Sequence, residues 1–252
     1  RCERETAIIR LGLRQFATIF DSASVLFRPN WRCSPYLPLF SCFPQEVQAL
    51  AFLRYKQARY EESCELFEEM QQIVGDNERL LENMGHTYTS IGKVEKAEEC
   101  FQRALAVIDS KETQIRQLAA QLNSSEEEIQ EELKAYNRAG ILLGLGMCRK
   151  AQGKLDAALS ALLDSLALYK AQHAAGDHSI CAKVAGHVGD CLCEMGREKE
   201  AEGYYRDAVR IFRVTCGESS PLTVNALQKL GDFLMKMMKV GNGVWIGAAC
   251  VF

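Results

Sequence analysis

From Gln45 to Ser220 the chain holds no proline, and large apolar residues recur along it at helical spacing. A proline inside a helix costs about 3 kcal/mol, so a stretch this long without one predicts helices throughout. Within it one pattern returns three times. Met84-Gly85 is followed by Tyr88 and Gly92, then by Ala97, Phe101, Ala104 and Leu105. With the same spacing, Leu145-Gly146 leads to Arg149 and Gly153, then to Ala158, Leu162, Ser165 and Leu166. Val188-Gly189 leads to Leu192 and Gly196, then to Ala201, Tyr205, Ala208 and Val209. A weaker copy comes earlier, with Leu50-Ala51, Ala58, Ser63, Phe67 and Met70, and half a copy follows at Leu230-Gly231 and Leu234.

The spacing has a physical reading as paired helices. Gly85, Gly146, Gly189 and Gly231 fall on the first helix of each hairpin, and Ala97, Ala158 and Ala201 on the second. Small residues at both places let the two helix axes approach closely. Ala104, Ser165 and Ala208 do the same toward the next hairpin, while Tyr88, Phe101, Leu162, Leu192 and Tyr205 fill the remaining volume. Gly92, Gly153 and Gly196 fall at the turn, where a left-handed backbone is open to glycine at no steric cost. A lone hairpin leaves an apolar face in water, so neighbours must stack to bury it.

These positions resemble the tetratricopeptide repeat over roughly Pro44 to Lys239. The resemblance implies an all-α fold, an α-α superhelix of about four to five helical hairpins whose first helices line a concave groove. The expected divisions are hairpins at 44–77 and 78–111, a long helical hairpin extension at 112–138, hairpins at 139–172 and 182–215, and a half repeat at 222–239. A poorly defined N-terminal segment, 1–43, and a non-repeat tail, 240–252, flank them. Successive repeat glycines from Gly85 to Gly231 lie 61, 43 and 42 residues apart, against a unit of about 34. Gly176-Asp177-His178 and Gly217-Glu218-Ser219-Ser220-Pro221 stand in the lengthened linkers. Such linkers resemble those of the kinesin light chain subgroup, in which a Gly-x-x-His-Pro element recurs; neither linker here carries both His and Pro.

In the widest gap Ile108, Ile115, Leu118 and Leu122 continue an apolar stripe, which Asn123-Ser124-Ser125 breaks. Ser124-x-x-Glu127 and Ser125-x-x-Glu128 offer capping boxes for a further helix through Ile129, Leu133 and Tyr136. Two lengthened helices forming a projecting hairpin are expected. Residues 1–43 carry a helical apolar pattern around Ile8 to Phe20 and then a proline-rich loop. The tail reads Gly-Asn-Gly-Val-Trp-Ile-Gly and leaves the repeat. A start at Arg1 rather than methionine reads as a fragment or partial gene model, and each end as a divergent cap or a gene-prediction error.

Composition narrows the function. The 252 residues are 48% hydrophobic and 25% charged, enough for a sizeable core in a soluble protein. A net charge of −3 without a basic patch argues against nucleic acid. No apolar run approaches the roughly 20 residues of a membrane helix. Eleven scattered cysteines with no framework spacing and no secretory signal fit a reducing, cytoplasmic setting. His178, Cys181, His187 and Cys191 have a superficial zinc-like spacing, but Cys191 stands two positions after a repeat glycine, where packing accounts for it. Gly144-x-Gly146 lacks the strand and third glycine of a dinucleotide site, and Gly92-Lys93 and Gly153-Lys154 lack the rest of a phosphate loop. The five glutamates of 126–132 read as a solvated first helical turn. No catalytic residue, metal or cofactor is expected, and the chain is read as no enzyme.

The resemblance places the partner-binding residues in the groove. Aligned copies put Glu82, Asn83, His86 and Thr89 there, then Met147 and Lys150 with Leu143 and Gly144, then Lys183, His187 and Asp190, then Asn225, Lys229 and Asp232. Chaperone-binding relatives grip a terminal carboxylate with Lys and Asn; here the corresponding places hold Gln48, Phe52, Gly140 and Gly144, and Asn83 alone fits. The leading expectation is a scaffold or adaptor that binds a protein or peptide in the groove. The alternatives are a motor-cargo or cytoskeletal adaptor of kinesin light chain type, with its coiled coil outside these residues, and a regulatory region of a larger enzyme. The oligomeric state is left open.

Overall fold

The computed structural model describes residues 37–122, 125, 137–173 and 177–240. They form nine helices: α1 (Leu37–Lys56), α2 (Tyr60–Val74), α3 (Glu78–Ile91), α4 (Val94–Leu122), α5 (Arg138–Ala151), α6 (Leu155–Gln172), α7 (Ser179–Glu194), α8 (Glu198–Cys216) and α9 (Pro221–Val240). No strand occurs among the described residues. The chain divides into two compact units, 1–133 and 134–252. The first packs α1 on α2, α2 on α3 and α3 on α4; the second packs α5, α6, α7, α8 and α9 in the same successive way. Each helix touches mainly its neighbours in sequence, as in a repeat array.

The turns inside the hairpins share one device. Gly92, Gly153 and Gly196 take φ of 83°, 75° and 73°. In each case the next residue's N–H reaches back 2.9 Å to a carbonyl of the first helix: Lys93 to Tyr88, Lys154 to Arg149, Arg197 to Leu192. This Schellman closure satisfies carbonyls that the helix end would orphan. The weak first copy makes the same turn, Arg59 N–H to Arg54 O at 2.9 Å, with Ala58 forced to φ 58° where the others have glycine.

The recurring glycines explain the close approach. A Cβ on Gly85 would stand 2.7 Å from the Phe101 ring, and one on Gly146 would stand 2.7 Å from Leu162. On Gly189 it would meet the Tyr205 ring at 3.0 Å. Each glycine therefore makes room for the large residue of its own second helix. Ala97, Ala158 and Ala201 are fully buried opposite. Buried hydroxyls at small positions are satisfied by neighbouring helices: Ser63 Oγ donates to Ala51 O at 2.8 Å and Ser165 Oγ to Ala139 O at 2.7 Å.

One boundary differs from expectation. The proline-rich stretch is helical from Leu37, ahead of the boundary at Pro44. Pro38 stands in the first turn, where its missing N–H costs nothing. Helix α4 is lengthened to Leu122, as its apolar stripe predicts. The second arm of that extension, with its capping boxes and glutamates at 124–132, lies outside the described residues except for Ser125. So do the Ile8–Phe20 pattern and the tail from Gly241.

Candidate functional site

The second unit gathers side chains from α5, α7, α8 and α9 around Asp190. Tyr205 OH donates to Asp190 Oδ1 at 2.8 Å, and Lys229 Nζ of α9 donates to Oδ2 at 2.8 Å. Lys150 Nζ of α5 stands 4.0 Å from the same oxygen and 3.1 Å from Glu194. Burial pushes the Asp190 carboxyl up, but the Lys229 and Tyr205 bonds and the nearby lysine charges outweigh it and hold the group below the ordinary carboxylate value. His187 Nδ1 lies 4.0 Å from Asp190. Burial drives its pKa down to about 4, helped by Lys229, Lys183 and Lys150 and opposed by Asp190. At neutral pH the ring is therefore uncharged, and this contact is not an ion pair.

Beside this cluster α7, α8 and α9 line an open cavity of about 510 Å³. Its floor is apolar, with Ala182, Ala208, Phe212 and Ala226 among the lining. Its rim holds His178, Lys183, His187 and Lys229, and no carboxylate lines it. Lys183 is exposed and makes no ion pair among the described residues.

The first unit presents a different surface. His86 meets Phe101 edge-on, ring centroids 5.2 Å apart, and stands near Glu82 of the same helix. Phe52 is 48% exposed, stacks on Tyr55 and carries Lys56 Nζ 5.1 Å over its ring. Ser90 Oγ donates to Tyr55 OH at 3.3 Å, joining α3 to α1. Tyr88 OH donates to Glu68 at 2.6 Å; burial and that carboxylate hold the phenol protonated.

Two tetratricopeptide repeat family models match the sequence, one over residues 80–115 and the other over 137–213. Those two stretches carry tetratricopeptide repeats. No curated protein sequence matches it. Among solved structures it is similar to a putative kinesin light chain from Podosopora anserina with nearly identical repeats, at 16% identity and a TM-score of 0.56, over 77% of this chain and 86% of that one. It is also similar to BtubC (BKLC) from P. vanneervenii, at 18% identity and 0.53, over 97% and 94%. A Rap protein complexed with Competence and Sporulation Factor matches at 17% and 0.55, over 80% of this chain and 54% of that one. At such identities the likeness is one of fold.

Against the repeat frame, the aligned residues separate. Lys150, His187, Asp190 and Lys229 come together in one cluster, and Lys183 joins His187 and Lys229 on the cavity rim. Asn225 also lines that cavity. Asp232 is exposed and outside the cluster, and Met147 is 37% exposed one turn from Leu143. Leu143 and Gly144 are buried, Leu143 within the core, so they do not face a partner. Glu82, Asn83 and Thr89 are half-buried on α3, and His86 is exposed there. One participant in the cluster lies outside the aligned groove positions. Tyr205 reads as core filler, yet its hydroxyl reaches Asp190; tyrosine where the other copies hold Phe101 and Leu162 is the signal, since a buried phenol needs a partner. Phe52 occupies the position equivalent to His86 and Asp190, and register alone marks it.

Proposed function

We propose that the protein is a non-catalytic interaction scaffold that holds a polypeptide segment of a partner on the inner faces of its first helices. The observation that carries this reading is the second-unit cavity, an apolar floor under a cationic rim. Lys183 and Lys229 would meet acidic groups of the partner while its apolar side chains enter the cavity. Asp190 holds Lys229 and Tyr205 in place, and Lys150 flanks them. Met147 and Asp232 would extend the contact to either side. On the first unit, Glu82, Asn83, His86 and Thr89 offer a second surface, with Phe52 beside them. The Rap relative, solved with Competence and Sporulation Factor, lends this reading support.

Panning a random peptide library on the full chain tests it. Enrichment of acidic peptides with bulky apolar residues is expected, and Lys183→Glu should weaken the selected peptide by about tenfold, roughly 1.4 kcal/mol. Enrichment of basic peptides, or unchanged affinity in Lys183→Glu, contradicts the reading.

A narrower reading, a cytoplasmic motor-cargo or cytoskeletal adaptor, is favoured by the kinesin light chain fold likeness together with the lengthened linkers. Transcript sequence through both ends should then encode a heptad coiled coil. A catalytic domain there would instead favour a regulatory role within an enzyme.

A further inference from the structure

The cavity beside Asp190 owes part of its room to a helical glycine. Gly186 of α7 lines it, and a Cβ placed there would meet nothing within 4 Å. Further along the same helix, Gly189 differs: a Cβ there would stand 3.0 Å from the Tyr205 ring. Gly186 has no such neighbour, and it is not among the glycines with positive φ. Neither packing nor backbone conformation asks for glycine at this place, and glycine inside a helix lowers its stability. The same register holds Glu82, Leu143 and Gln228 in the other copies, all with long side chains. What the missing side chain provides at Gly186 is space.

That space is apolar below and cationic above. Ala182, Ala208 and Ala226 line it with methyl groups, and Phe212 and Leu222 with larger surfaces. Its volume of about 510 Å³ lies within the roughly 300–1,000 Å³ of small-molecule sites. Of the two lysines, Lys229 is answered by Asp190 at 2.8 Å. Lys183 is exposed and makes no ion pair among the described residues. The lining holds no carboxylate to answer it. A bare acid would leave the apolar floor in water, and an uncharged apolar molecule would leave Lys183 unanswered. We propose that this open cavity binds a small amphipathic carboxylate, with its apolar body in the space left by Gly186 and its carboxylate at Lys183. All of its lining belongs to the second unit, so the site does not need the polypeptide partner proposed above. Where both bind, they compete.

Calorimetric titration of the full chain with octanoate, octanol and acetate at neutral pH tests it. Octanoate should bind saturably at one site, and the other two at least about tenfold more weakly, since each lacks one half of the match. Lys183→Glu should weaken octanoate by about tenfold, because an attraction becomes a repulsion. Gly186→Leu fills the space from within and should abolish binding; with no atom near its Cβ and a better helix former in place, that variant should fold. Gly203→Leu is the control. Gly203 is also helical and open, but it is exposed on α8 outside the cavity, so octanoate binding should be unchanged. Absence of saturable octanoate binding, equal affinity for octanol, or octanoate binding retained in Gly186→Leu overturns the proposal. If octanoate binds and no acidic peptide is selected, the polypeptide reading fails while this site stands; the opposite pair of results fails this site alone.

Discussion

Adding one methyl group to a repeat glycine is expected to have opposite effects at two positions. In Gly146→Ala the new Cβ would stand 2.7 Å from Leu162 and 3.2 Å from the Ala158 carbonyl. Overpacking of this kind should cost roughly 1–3 kcal/mol in urea unfolding. Gly231 meets nothing within 4 Å, so Gly231→Ala should add roughly 0.5–1 kcal/mol through helix propensity alone. Equal effects at both sites would contradict the packing account. Ala58 is the converse case. It is a non-glycine residue in the left-handed region at φ 58°, at a turn where three other copies have glycine. Ala58→Gly should therefore stabilise the first unit by about 0.5–1 kcal/mol, relief of strain less the added chain entropy.

Helices α7, α8 and α9 are tied together by Asp190. It accepts from Tyr205 on one oxygen and from Lys229 on the other, so Asp190→Ala leaves a phenol and an ammonium without their acceptor. A loss of roughly 1–3 kcal/mol is expected in chemical denaturation. Stability near neutral pH unaltered by that change would show that the cluster does not hold the hairpins. His187 gives α7 a separate dependence on pH. Its pKa falls from 6.5 to about 4 on folding, so between those values the unfolded chain binds more protons. Its contribution is present in full above pH 6.5 and is lost as pH falls toward 4. In His187→Gln the slope of stability over that window should flatten; an unchanged slope would assign it to other groups. Both effects belong to side chains on neighbouring helices, which is why alignment of the copies listed their positions without pairing them.

For the whole molecule, the sequence carried the hairpins because one glycine or alanine per helix sets how near two axes come. Gly85 under Phe101 and Gly189 under Tyr205 are the same contact in two copies. The start of α1 was harder to read, because Pro38 and Pro44 signal a loop unless a helix already begins at Leu37. The site was legible as a set of register positions. Which of them meet depended on reach across hairpins, such as Lys150 toward Asp190, and on a hydroxyl in a core position, Tyr205. Both of those need coordinates. The most direct test of a cationic-rimmed cavity as the partner's seat is an amide NMR spectrum of the full chain titrated with the selected acidic peptide. Shifts should concentrate at Lys183, His187, Asn225 and Lys229. Saturable binding that leaves those four signals in place and moves Leu163 or Arg206 instead would contradict it.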